Sequence, residues 1–147
     1  MENTCYIKML READLKVTPK RKAIIMFFLK NERYFTPEEV WLALKKRFGH
    51  LGFPTIYRNL KELENIGILV RINRPDQRLY YAICHLGKKR AHHHFVCQRC
   101  GRVSEVEFCN FEDIARDIEE KLGCRIISHF MQIEGLCSKC KQDEQRS

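Results

Sequence analysis

Pro54-Thr55-Ile56-Tyr57-Arg58-Asn59-Leu60-Lys61-Glu62-Leu63-Glu64-Asn65-Ile66-Gly67 is the stretch on which the fold of this chain turns. Ile56, Leu60, Leu63 and Ile66 recur at helical spacing and make one apolar stripe, while Tyr57, Arg58, Lys61 and Asn65 fall on the opposite side. Gly67 suits the position just past a helix end, so the pattern predicts a helix over 55–66. Two β-rich runs follow, 69–73 and 79–83, joined through Arg74-Pro75-Asp76-Gln77, where proline pre-sets the first corner of a turn. Upstream, Thr18-Pro19 offers an N-cap and a first-turn proline for a helix carrying Ile24, Ile25, Phe27 and Phe28 inward. Thr36-Pro37-Glu38-Glu39 repeats the device with a capping box and opens a helix with Val40, Trp41, Leu44 and Phe48 inward, broken over 49–54. Three helices and a two-stranded hairpin bearing Arg71, Arg74 and Arg78 are the layout of a winged helix-turn-helix. In that layout the third helix enters the major groove and the wing meets phosphates or the minor groove.

Charge agrees with this. The 147 residues carry a net charge of +8, which points to an anionic partner, most simply double-stranded DNA. Lys16, Lys20, Arg21, Lys22 and the wing arginines Arg71, Arg74 and Arg78 are expected to neutralise phosphates. Tyr57 and Arg58 are the expected base or sugar contacts, and Thr55 at the head of the same helix is counted among the DNA-binding residues. Residues 1–14 are mixed in charge and hold no apolar run of signal-peptide length, and no stretch approaches a membrane span. Eight cysteines without an export signal favour metal ligation in a reducing cytoplasm over disulfides.

The second half supplies the metal chemistry. Cys97-Gln98-Arg99-Cys100 and Cys137-Ser138-Lys139-Cys140 are two CxxC pairs, and four thiolates in two knuckles are the ligands of a closed, structural Zn²⁺ site. Around them the pattern gives strands over 93–96 and 102–106, a helix capped by Asn110, striped by Ile114, Ile118 and Leu122 and stopped by Gly123, and a long β-branched run over 125–136. The chain is therefore read as α+β: a winged-helix domain over 1–84, a hinge over 85–91, and a small α/β domain over 92–147 stapled by zinc, whose strand edges suit pairing with a second copy. In an extended segment His92 and His94 share one side and His93 faces the other, so the triplet divides between two further candidate metal sites. Cys5, Cys109 and Cys124 read as packing residues.

With these residues in place, the chain closely resembles the ferric uptake regulator family of metal-dependent bacterial repressors. The resemblance spans nearly its whole length through Leu15-Lys16-Val17-Thr18-Pro19-Lys20-Arg21, the 54–60 stretch, His92 through Gly101, and Gly135-Leu136-Cys137-Ser138-Lys139-Cys140. It implies a homodimer with a C-terminal dimerisation domain, which binds an inverted-repeat operator when a regulatory metal, Zn²⁺ or Fe²⁺, occupies a site near the hinge. Carried over by position, Cys97, Cys100, Cys137 and Cys140 match the structural zinc ligands, His92, His94 and Glu105 the hinge site, and His93, Glu112 and His129 a second site. Cys84, eight residues before His92, is placed like the hinge thiolate of zinc-sensing members, and His85 is a rival donor. Tyr34 and Tyr80 stand where iron- and peroxide-sensing members supply a histidine and an acidic ligand, and Ala91 removes a donor that many members give to the second site. A thiolate beside imidazoles favours Zn²⁺ over Fe²⁺.

Two other classes compete. A zinc hydrolase or deaminase would need an open metal position and an HExxH or HxE motif, and neither accompanies these histidines. A metal storage or trafficking protein would explain the cysteines and histidines but not the ordered winged-helix half. No small-molecule substrate or membrane is expected.

Overall fold

The computed structural model describes residues 2–88 and 91–146. Lys89 and Arg90, within the expected hinge, and Met1 and Ser147 lie outside the described residues. The chain runs α1 (Glu2–Glu12), α2 (Pro19–Lys30), α3 (Pro37–Leu44), α4 (Phe53–Asn65), β1 (Leu69–Ile72), β2 (Tyr80–Ile83), β3 (His93–Cys97), β4 (Val103–Val106), α5 (Phe111–Leu122), β5 (Gln132–Gly135) and α6 (Ser138–Arg146).

Local chemistry starts the N-terminal helices. The Arg21 amide donates to Thr18 Oγ1 at 3.2 Å, and at α3 the box closes both ways, Glu39 N–H to Thr36 Oγ1 at 3.2 Å and Thr36 N–H to Glu39 Oε2 at 2.7 Å. α4 begins two residues ahead of the expected start, with Gly52 as its N-cap and Pro54 in its first turn. Its stripe of Ile56, Leu60 and Leu63 is buried against Ile24, Ile25 and Phe28 of α2 and Val40 of α3. Gly67 then takes φ +84°, its amide donating to Glu64 O at 3.0 Å, and the chain turns into the hairpin. The β1–β2 pair is antiparallel, Leu69 facing Ile83 and Ile72 facing Tyr80, with the Gln77 amide closing the tip onto Arg74 O at 3.0 Å.

α1 was not legible as a helix in the sequence, yet its Tyr6 and Leu10 are buried in the same core. In the C-terminal half, β3 lies between antiparallel β4 and parallel β5. Only four residues of the long 125–136 run pair as a strand, because 125–131 has no neighbouring strand among the described residues. A second small core, Ile72, Ala82 and Val96 with Tyr34 and Val103 against it, joins the two sheets. The join is reinforced by the Tyr34 amide to Gly101 O at 3.1 Å, Arg102 to Glu32 at 2.8 Å, and Gln132 Nε2 to Asn73 O at 2.7 Å.

Candidate metal centre and nucleic-acid interface

Three clusters of metal-type donors occur among the described residues, each with its ligand atoms within 4.8 Å of one another: Cys97, Cys100, Cys137 and Cys140; Cys84, His92 and His94; and His93, Cys109 and His129.

The first is set at two strand ends. β3 terminates in Cys97 and β5 terminates two residues before Cys137, and these strands are paired in parallel, Cys97 opposite Gly135. Cys100 Sγ and Cys137 Sγ are 3.7 Å apart, close to the roughly 3.8 Å edge of a tetrahedron with Zn–S bonds of about 2.3 Å. Burial opposes a thiolate at Cys97, but the Cys100, Cys137 and Arg99 amides outweigh it and bring the group down to about 6. Burial, and then its three thiol neighbours, push Cys140 up to about 12. Such crowding of ionisable sulfurs is relieved by a divalent cation, so this donor set fits Zn²⁺.

The second cluster lies where the halves meet. Cys84 directly follows β2 and is buried, and its Sγ is 3.2 Å from His92 Nε2. The His92 and His94 rings meet edge to face at 4.8 Å. Burial, with His92 adding to it, depresses His94 to about 4, so its imidazole is neutral at physiological pH; its Nε2 is buried with no hydrogen-bond partner among the described residues. A buried imidazole nitrogen carrying no partner and a thiol pushed up by burial fit a soft divalent ion. Glu105 stands directly across the strand pair from His94, but its Oε1 accepts the His85 amide at 2.8 Å and it is outside the three-donor cluster. His85 is exposed, its Nδ1 3.2 Å from the Tyr6 hydroxyl, so it is not a member either. Tyr34 and Tyr80 pack edge to face at 4.9 Å, and the Tyr80 hydroxyl donates to Asp76 Oδ2 at 2.5 Å.

The third cluster differs from the expected second site in one donor. His93 and His129 come together, but Cys109 joins them and Glu112, exposed on the first turn of α5, does not. Cys109 is therefore no plain packing residue; Cys5 and Cys124 are exposed and do not pack either. Nothing in the CxxC spacing or the strand parity flags Cys109, which the connection from β4 to α5 carries back over β3. Asn110 stands at the start of α5 without making a side-chain cap.

On the winged-helix face, Tyr57 and Arg58 are exposed on α4, and Thr55 and Arg58 line a groove with Lys20 and Arg21. Three of the expected phosphate contacts are already engaged within the chain. Arg21 pairs with Glu62 and donates to Lys16 O at 2.8 Å, Arg71 pairs with Glu64 at 3.4 Å, and Arg74 pairs with Glu134 at 3.5 Å. Lys16, Lys20, Lys22, Arg58 and Arg78 make no ion pair among the described residues.

On the C-terminal half, α5 has no buried residue. Leu122 and Ile114 on its stripe are exposed, as are Phe108, Phe130 and Ile127, the last at 94%. No described helix is long and apolar enough to cross a membrane.

The model of the ferric uptake regulator family matches residues 12–134. The chain is 33% identical over 138 residues to the ferric uptake regulation protein of Bacillus subtilis, covering 93% of each. It is 26% identical over 137 residues to the peroxide-responsive repressor PerR of Staphylococcus epidermidis, covering 93% of this chain and 89% of that one. In three dimensions it is similar to a zinc uptake regulator complexed with zinc and DNA, with a TM-score of 0.78 at 23% identity over 97% of this chain and 95% of that one. It is also similar to the iron-containing ferric uptake regulator of Francisella tularensis, with a TM-score of 0.61 at 27% identity over 86% and 95%.

Proposed function

Because the chain belongs to the ferric uptake regulator family, whose members are metal-responsive transcriptional repressors and not enzymes, we propose that it is the zinc-responsive kind, a dimer that binds operator DNA when Cys84, His92 and His94 hold a divalent ion, and that it controls uptake of that metal. The observation that carries this reading is the position of that trio. Cys84 closes the wing hairpin and His94 belongs to the sheet of the other half, so one ion shared by them ties the DNA-reading unit to the C-terminal unit. When bound, the ion supplies a cross-link between the halves. Glu105, across from His94, is the carboxylate placed to add its second oxygen to the set.

The rest follows from the chain's own residues. Tyr57 and Arg58 present the recognition face, and the unengaged cations flanking α2 and the wing hold the phosphates. The bare apolar stripe of α5 and the unmatched segment before β5 are the surfaces that a second copy would cover, which places two recognition helices on one duplex. A hundredfold preference of the ion for one arrangement of the halves supplies about 2.7 kcal/mol, enough to shift a poised equilibrium. Thiolate and imidazole donors favour Zn²⁺, and Tyr34 and Tyr80, occupied with each other and with Asp76, offer no ligands of the iron- or peroxide-sensing kind. Eight cysteines, among them the four-thiol cluster and Cys84, suit metal ligation in a reducing cytoplasm.

The test is DNA binding by protein whose four-cysteine site is zinc-loaded, titrated separately with Zn²⁺ and with anaerobic Fe²⁺ against inverted-repeat promoter DNA. Zn²⁺ restores tight binding and Cys84→Ser abolishes the response. Restoration by Fe²⁺ at concentrations where Zn²⁺ is silent would replace zinc by iron, and indifference to both would remove the switch.

A further inference from the structure

We infer that Cys109 is a ligand of the second site that the family resemblance implies at His93 and His129, in place of Glu112, so that this site is a thiolate with two imidazoles and takes Zn²⁺ separately from both the four-cysteine cluster and the Cys84 centre. The three donor atoms make a triangle: His93 Nε2 to Cys109 Sγ 3.0 Å, Cys109 Sγ to His129 Nε2 3.5 Å, and His129 Nε2 to His93 Nε2 3.5 Å. Donors that share one tetrahedral zinc stand about 3.4–3.6 Å apart, so two edges already match and the third opens by about half an ångström. The donors arrive from three separate places, β3, the β4–α5 connection and the segment ahead of β5.

The surroundings hold the donors for such a role. His93 is only 6% exposed, which fixes its ring in the core of the sheet. The Phe111 ring stacks on His129 at 3.8 Å and 16°, setting the imidazole plane while leaving Nε2 turned toward the other two donors. A cysteine that merely fills space contacts apolar groups, whereas Cys109 Sγ meets two ring nitrogens. Cys109 and both histidines also line a cavity of about 500 Å³, from which water or an exogenous donor reaches the fourth position.

The thiol changes the chemistry of the site. A His and carboxylate set accepts iron or manganese as readily as zinc, while one thiolate and two imidazoles select zinc or a still softer ion.

Co²⁺ is the probe, because thiolate-to-Co²⁺ charge transfer reports sulfur ligation and imidazole or carboxylate does not. It is added to full-length protein whose four-cysteine site keeps its zinc, verified by zinc content, with far-ultraviolet circular dichroism to confirm folding. Cys84→Ser, lacking the hinge thiolate, retains one equivalent of the charge-transfer band, and adding Cys109→Ser removes it together with one equivalent of Zn²⁺ in chelator competition. A Cys84→Ser protein with no band, or a double variant that keeps it, overturns the proposal. Failure of the hinge reading is seen separately, as loss of the band from Cys109→Ser alone.

Discussion

Salt should distinguish the cations that meet DNA from those already committed inside the fold. Lys16, Lys20, Lys22, Arg58 and Arg78 carry no ion pair among the described residues, whereas Arg21, Arg71 and Arg74 are held by Glu62, Glu64 and Glu134. With five phosphates neutralised per chain, a dimer displaces about ten counterions, and log K falls against log salt with a limiting slope of about −9. Counting the three paired arginines would steepen it to about −14. Raising KCl from about 50 to about 200 mM then weakens binding by about five decades in the first case and about eight in the second. The variants separate the cases directly. Lys16→Ala should flatten the slope by about 1.8, two contacts at about 0.9 each, while Arg74→Ala, whose guanidinium faces Glu134, should leave it nearly unchanged. The assay is fluorescence anisotropy of labelled operator at saturating Zn²⁺ over a series of KCl concentrations. Equal flattening by Lys16→Ala and Arg74→Ala would refute the claim that intramolecular pairing removes an arginine from the phosphate count.

Three further outcomes follow from the packing. Gly101→Ala forces an L side chain to φ +79° with its Cβ 3.3 Å from the Tyr34 ring, so thermal unfolding should show a loss of about 1–2 kcal/mol. Ile127→Asp places a charge where the side chain is 94% exposed in one copy; if a second copy covers it, sedimentation velocity should show the dimer shifting to monomer with the circular dichroism unchanged. Cys97→Ser removes one of the four clustered thiols at the junction of β3 and β5; if they hold a metal, hydrogen exchange should report lost protection in β3, β4 and β5 while α2, α3 and α4, which share a separate core, stay protected.

The winged-helix half was legible because its signals are local. Caps at Thr18 and Thr36, a stripe at Ile56, Leu60 and Leu63, and a glycine at the helix end each act within a few residues, and the structure places all of them. The strand expected over 125–136 was mostly lost because a strand is a relation between two segments, and among the described residues only Gln132–Gly135 finds a neighbour, β3. α1 and α6 escaped because short polar helices lack a strong period; α1 is held by Tyr6 and Leu10 in the common core, and α6 buries Cys140. The four-cysteine cluster was readable from CxxC spacing, and the division of the histidine triplet from strand parity. Cys109 was unreadable, because its approach to His93 depends on the path of a connection, and no periodicity encodes that path.

The parallel pairing of β3 with β5 makes the four-cysteine cluster a gauge for the rest of the C-terminal half. Sliding β5 by two residues would preserve every inside-to-outside side-chain assignment, so hydrophobic pattern alone does not forbid the slip. It would, however, carry the second knuckle about 7 Å from the first, beyond what sulfurs on one ion can span. An ion held by the four cysteines would therefore fix the alignment of His94 with Gln132, and through it the distance from His93 to His129 three residues upstream. A metal held there would work as a datum from which the other two donor clusters are measured, and a chain that acquired it in the wrong alignment would be folded yet blind.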